Sequence, residues 1–201
     1  MASHKVKFVD IYSQNKGKSD EYSTPSYALL PLLEYLPKDR TIWECTDTSG
    51  SISSFLKEKG YKVVSTEDNF LLYNMPKGDI IVTNPPYSLK TEFLQHSYEM
   101  GIPFALLLPI TALEGSKRQE LYRKYGISLI LFNKRIQFRS NRAGAWFATA
   151  WFTHGLNLPD NLNFFELASD NLNFFKLASD NMINKEGEIN KRNITLFEED
   201  E

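Results

Sequence analysis

The sequence predicts an α/β fold: a mainly parallel sheet with helices on both faces and an antiparallel hairpin at one edge. Three observations predict it. Short apolar, β-branched runs alternate with segments of helical periodicity between residues 41 and 132, which is the rhythm of strand-helix-strand crossovers. One of these runs, Asp79-Ile80-Ile81-Val82-Thr83, passes through Asn84 into Pro85-Pro86. A buried strand therefore stops abruptly there and hands the chain to a loop. Finally, the aromatic, β-rich residues 146–152 follow an apolar run at 127–132 across a loop at 133–144. The two runs can pair antiparallel.

At 201 residues the chain can bury one sizeable core and is too short for two ordinary domains. Its 42% hydrophobic and 24% charged residues argue against disorder and against a fibrous class. A formal net charge of -2 gives no global basic field for nucleic acid. The distribution is uneven, however. Lys117, Arg118, Arg123, Lys124, Lys134, Arg135, Arg139 and Arg142 stand in one segment against the single acid Glu120, so this is either a phosphate-facing surface or a solvated helix face plus a loop. Cys45 is the only cysteine, which excludes an intramolecular disulfide and fits a reducing compartment. His4, His96 and His154 are far apart and lack partners at ligand spacing, so no metal is expected. The apolar run at 104–110 is too short to span a bilayer. With no signal-peptide pattern at the amino terminus, the expected compartment is the cytoplasm.

In chain order, residues 1–19 are polar and read as a mobile arm. Thr24 then caps a helix with Pro25 at its first position and Tyr27, Leu29, Leu30, Leu32, Leu33 and Leu36 along it. Pro31 should kink this helix and Pro37 should end it. Residues 41–45 form the first strand, followed by a small-residue turn at 46–50 and a helix at 51–59 that Gly60 terminates. Such a strand, loop and helix start make a cradle for a nucleoside or carboxylate ligand. A second strand at 61–66 closes on Glu67-Asp68, where an acid commonly holds a ribose diol; strand phase favours Asp68.

Beyond Pro86, residues 89–100 form a helix with Leu89, Phe93, His96 and Met100 inward. A buried strand at 102–109, a helix at 112–125 and the strand at 127–132 complete the core. The folded domain is expected to span 20–158, followed by a duplicated extension at 159–184 and a polar acidic tail at 185–201. Residues 160–169 recur at 170–179 with one change, Glu166 against Lys176. Two copies do not make a solenoid. One is expected to pack on the core and the other to loop out.

Chemistry belongs at the exit of the 79–83 strand, because ligands in open α/β sheets lie outside the carboxyl ends of strands. Asn84 offers a side-chain oxygen, and Pro85 a carbonyl. Two such acceptors converging on a planar amine hold its hydrogens out of the ring plane and localise the nitrogen lone pair. Pro86 stiffens the loop, and Tyr87 supplies a flat face for a ring.

Asn84-Pro85-Pro86-Tyr87 behind a strand resembles the catalytic motif of the S-adenosyl-L-methionine-dependent amino-methyltransferases. Together with Tyr22-Ser23-Thr24-Pro25 and Arg135-Ile136-Gln137-Phe138 it is similar to the small phage-type DNA adenine N6 methyltransferases, over residues 18–155. The resemblance implies a Rossmann-like methyltransferase fold, S-adenosyl-L-methionine as cofactor, and flipping of an adenine out of DNA. It also implies cofactor contacts from Tyr22, Thr24, Pro25, Glu44, Gly50, Asp68 and Phe70. Lys134, Arg135, Arg139 and Arg142 are the expected nucleic-acid contacts. Thr48 departs from the family, standing where it has the first glycine of the cofactor loop, so cofactor affinity is expected to suffer. Cytosine N4, RNA adenine or protein glutamine as acceptor, and a catalytically degenerate binding protein, are the competing readings.

Overall fold

A computed structural model of the protein describes residues 23–46, 49–138 and 147–167. Tyr22, Thr48, Arg139, Arg142, Trp146, the 1–19 arm, the 170–179 copy and the 185–201 tail lie outside the described residues. The chain divides into two units, residues 1–166 and 167–201. The first holds the sheet.

Seven strands form that sheet: β1 (Thr41–Glu44), β2 (Lys62–Ser65), β3 (Ile80–Thr83), β4 (Phe104–Pro109), β5 (Ser128–Phe132), β6 (Thr149–His154) and β7 (Leu162–Phe165). Their order is β2-β1-β3-β4-β6-β5-β7. β1 pairs parallel with both β2 and β3, and β3 pairs parallel with β4. β6 is inserted antiparallel between β4 and β5. The chain thus leaves β1 toward one edge of the sheet and leaves β3 toward the other. A crevice opens at such a switch point, between the carboxyl ends of β1 and β3.

β3 and β4 are buried along their whole length, as their continuous apolar sequences require of strands covered on both faces. On one face, Trp43, Ile81, Leu106 and Phe152 pack with Phe93, Leu94 and Tyr98 of α2 (Lys90–Glu99). The inner positions of α2 are Phe93, Leu94, Ser97 and Tyr98. His96 is only half-buried and stands edge-on to the Phe70 ring. The opposite face carries α1 (Ser51–Glu58), packed on β2, and the short helix Ser26–Leu32. Trp151 Nε1 of β6 donates to Ala28 O at 2.6 Å and ties that helix down.

Three elements differ from the sequence expectation, each for a physical reason. The Ser26–Leu32 segment is a 3₁₀ helix whose cap is Pro25, and the Thr24 side chain makes no cap bond to it. Pro31 within it has no N–H to donate, which favours a short, tight helix over a longer α-helix. The expected helix at 112–125 is broken into a 3₁₀ turn, Ile110–Leu113, and α3 (Ser116–Tyr125). Gly115 between them has φ 97°, and a Cβ there would lie 2.8 Å from Arg118 Nη2, so only glycine fits. β7 was not expected at all. It comes from the first copy of the repeat and pairs parallel with β5, so the sheet continues beyond residue 158 and one more strand flanks the hairpin.

Candidate active site

The carboxyl ends of β1, β2 and β3 lie side by side, because the three strands are parallel neighbours. At the switch point Glu44 ends β1 and Thr83 ends β3. Glu44 is 1% exposed. Its Oε1 accepts from the Thr46 N–H at 2.9 Å and from the Thr83 hydroxyl. The Thr46 hydroxyl stands 3.2 Å from the same Oε1 and in close contact with the Thr83 hydroxyl, so the two hydroxyls and the carboxylate share one network. Thr46 Oγ1 also stands 3.5 Å from Asn84 O. Glu44 therefore buckles the exit of β1 to the exit of β3. The sequence places it only as a cofactor residue, since its partner Thr83 lies 39 positions away.

Cys45 follows Glu44 and is fully buried. Burial, followed by the neighbouring Glu44 charge, pushes its thiol well above the ordinary range. It stays protonated at neutral pH and is a packing residue.

The loop after Thr83 is fixed from several sides. Pro85 and Tyr87 are buried, Asn84 and Pro86 half-buried. Asn84 Oδ1 and Tyr87 Oη are themselves buried atoms. The Tyr87 ring meets Phe147 edge-on at 5.4 Å and Phe138 at 6.5 Å. Lys90 Nζ donates to the Tyr87 carbonyl at 3.1 Å. Phe138 and Phe147 both belong to the connection between β5 and β6, and the described parts of that connection meet the Asn84–Tyr87 exit. The Gln137 N–H donates to Tyr27 Oη at 2.7 Å. Burial raises the Tyr27 phenol, opposed by that amide. The segment Arg135-Ile136-Gln137-Phe138 thus bridges Tyr87 and the Ser26–Leu32 helix, next to Thr24, which is 3% exposed, and the half-buried Pro25.

The exits of β1 and β2 have the features of a nucleoside site. Gly50, at φ 67°, caps α1, and among the described residues an added Cβ would touch Ser54 Oγ alone, at 3.7 Å. The backbone there is open to close approach. Beyond β2, Asp68 is exposed. Asn69 Oδ1 accepts from Leu71 N at 3.0 Å, and its Nδ2 is buried without a hydrogen-bond partner among the described residues. Phe70 is fully buried, stacked on Phe93 at 5.1 Å and edge-on to Trp43 at 5.4 Å. Its ring supports the floor of this corner from the core side. These residues fit S-adenosyl-L-methionine.

The basic segment divides. Lys134 and Arg135 are exposed on the loop leaving β5, at the same edge of the sheet as Asn84. Arg118, by contrast, is spent internally. It donates to Ala112 O at 2.8 Å, to Thr91 Oγ1 at 2.6 Å and to Glu114 O, which braces the loop after β4 against the start of α2. Charge alone does not reveal this in the sequence; the neighbouring Gly115 is the one local sign. Among the described residues, no group of three or more His, Cys, Asp or Glu could hold a metal ion, and no helix is long and apolar enough to cross a membrane.

Sheet order, with β6 antiparallel between β4 and β5, defines a Rossmann-like α/β fold. No family model matches the sequence, and no curated protein matches it. Among solved structures, the chain is similar to a Listeria monocytogenes protein assigned to the class I S-adenosylmethionine-dependent methyltransferases, with a TM-score of 0.53 and 12% identity over 84% of this chain and 72% of that one. It is also similar to a modification subunit assigned to a type I restriction enzyme of Vibrio vulnificus, with a TM-score of 0.48 and 12% identity over 88% of this chain. The chain spans 57% of that subunit.

Proposed function

We propose that this protein is an S-adenosyl-L-methionine-dependent methyltransferase that methylates the exocyclic N6 amine of adenine in DNA. One observation carries the reading: Asn84-Pro85-Pro86-Tyr87 stands at the topological switch point, buckled by Glu44 and Thr83 to the strand exit expected to hold the cofactor. When bound, S-adenosyl-L-methionine supplies an electrophilic methyl group. The chain supplies alignment. Asn84 Oδ1 and the Pro85 carbonyl accept the two amine hydrogens and leave the nitrogen lone pair directed at the methyl carbon. The N–C bond would form as the cofactor's S–CH3 bond breaks, S-adenosylhomocysteine would leave, and the cationic amine would then give its proton to solvent, so no general base precedes attack. Tyr87 offers its ring to the base, held by Phe147 and Phe138 behind it.

A base inside a duplex cannot reach Asn84, whose Oδ1 is a buried atom, so the target adenine flips out of the stack. Lys134 and Arg135 then contact backbone phosphates, with Arg139 and Arg142 as their companions by sequence. Glu44, Gly50, Asp68 and Phe70 line or support the cofactor side, with Tyr22, Thr24 and Pro25 at its methionine end.

The test is nucleoside analysis by mass spectrometry after incubating unmethylated DNA with the protein and methyl-labelled cofactor. Label in N6-methyldeoxyadenosine is the expected result. Label in N4-methyldeoxycytidine or only in added RNA or protein would reassign the acceptor, and no transfer to any of them would leave a binding protein on this fold.

A further inference from the structure

We propose that Tyr73 is a positioning residue for Asp68: it holds one carboxylate oxygen so that the carboxylate faces the vicinal hydroxyls of a ribose. The inference rests on the cofactor reading above and deepens it. Asp68 is exposed, on a loop just past the end of β2. An unsupported carboxylate in that place spreads over several rotamers, and a ligand must order it on binding. Here Tyr73 Oη donates to Asp68 Oδ2 at 3.1 Å. The brace reaches Asp68 and not its neighbour Glu67, which separates two acids that the sequence leaves as alternatives.

Tyr73 is itself held. Its ring stands edge-on to Trp43, with centroids 5.2 Å apart and planes at 87°, and Lys77 Nζ lies 5.5 Å from its centroid. Trp43 is fully buried in β1, and its Nε1 donates to Thr66 Oγ1 at 3.0 Å, the first residue past β2. A rigid path therefore runs from the core through Trp43 and Tyr73 to Asp68. A carboxylate has about four lone-pair sites. One phenolic proton leaves Oδ1 and the second lone pair of Oδ2 for the two donors of a diol.

The experiment is calorimetric titration of the full chain with S-adenosylhomocysteine and with its analogue lacking both ribose hydroxyls. Wild type, Tyr73→Phe, Asp68→Asn and the double variant are compared. Tyr73→Phe keeps the ring against Trp43 and removes only the donor. It should weaken S-adenosylhomocysteine by roughly three- to tenfold, as for loss of one hydrogen bond, and leave the analogue within about twofold. In the Asp68→Asn background it should add nothing. Equal weakening of both ligands, an unchanged affinity, or a Tyr73→Phe effect that persists beside Asp68→Asn overturns the inference and leaves the cofactor reading standing. Failure of wild type to bind either ligand overturns both.

Discussion

At the exit of β3, Thr83, Thr46 and the buried Glu44 carboxylate close a hydrogen-bond network, and Tyr87 is wedged between rings. Two strands away, the exit of β2 is more exposed, held by the Trp43–Thr66 and Tyr73–Asp68 bonds, with the buried Asn69 amide donor beside them without a partner among the described residues. The difference is chemical. Acceptors that shape an amine must already be in place when the amine arrives, because reorganising them would add to the barrier. A diol-binding acid only has to bind, and hydroxyls from a ligand can complete its bonds. On the proposed function, the rigid region is the reacting one and the sparse region is the binding one.

The largest expected effect lies in the buckle. Glu44→Ala removes a buried carboxylate from two donors and leaves a void, which should cost about 3 kcal/mol in urea or thermal unfolding. Intact stability would show that Glu44 does not hold the two exits together and would break the comparison. Thr83→Val removes one hydroxyl from the same network. A smaller loss, on the order of 1 to 2 kcal/mol, is expected, with methyl transfer reduced and cofactor affinity held. If cofactor affinity falls instead and transfer per bound cofactor is kept, the two exits are not separable in the way described.

Smallest in stability is the basic loop. Neutralising Lys134 and Arg135 to Gln should change folding by less than about 0.5 kcal/mol. The log-log salt dependence of DNA binding should flatten by roughly two units, one per phosphate contact. An unchanged slope would make the pair a solvated surface.

Much of the sheet is legible in the sequence, because Ile80-Ile81-Val82 and residues 104–109 are apolar runs that only a strand covered on both faces explains. The Asn84–Tyr87 exit is legible for the same reason: the prolines mark where the strand stops. β7 is not, since Leu162 and Phe164 are exposed on an edge and alternate with Asn163. Its pairing is won by β5, which is remote in sequence. The Glu44–Thr83 bond, the Arg118 brace and the Phe138–Tyr87–Phe147 cluster are invisible in sequence for a related reason. Each joins segments that only the sheet order makes neighbours. The 3₁₀ form of Ser26–Leu32 was within reach, because Pro31 removes a donor that an α-helix of that length needs.

The central claim, that the β3 exit transfers and the β1 and β2 exits bind, is tested most directly by Asn84→Ala, with cofactor affinity and methyl transfer measured on the same preparation. Cofactor affinity is expected to stay within a few-fold of wild type. Methyl transfer to DNA should fall by about a hundredfold or more, the cost of losing one of two acceptors on the amine, on the order of 3 kcal/mol in the barrier. Transfer at the wild-type rate in Asn84→Ala, with cofactor still bound, would contradict it.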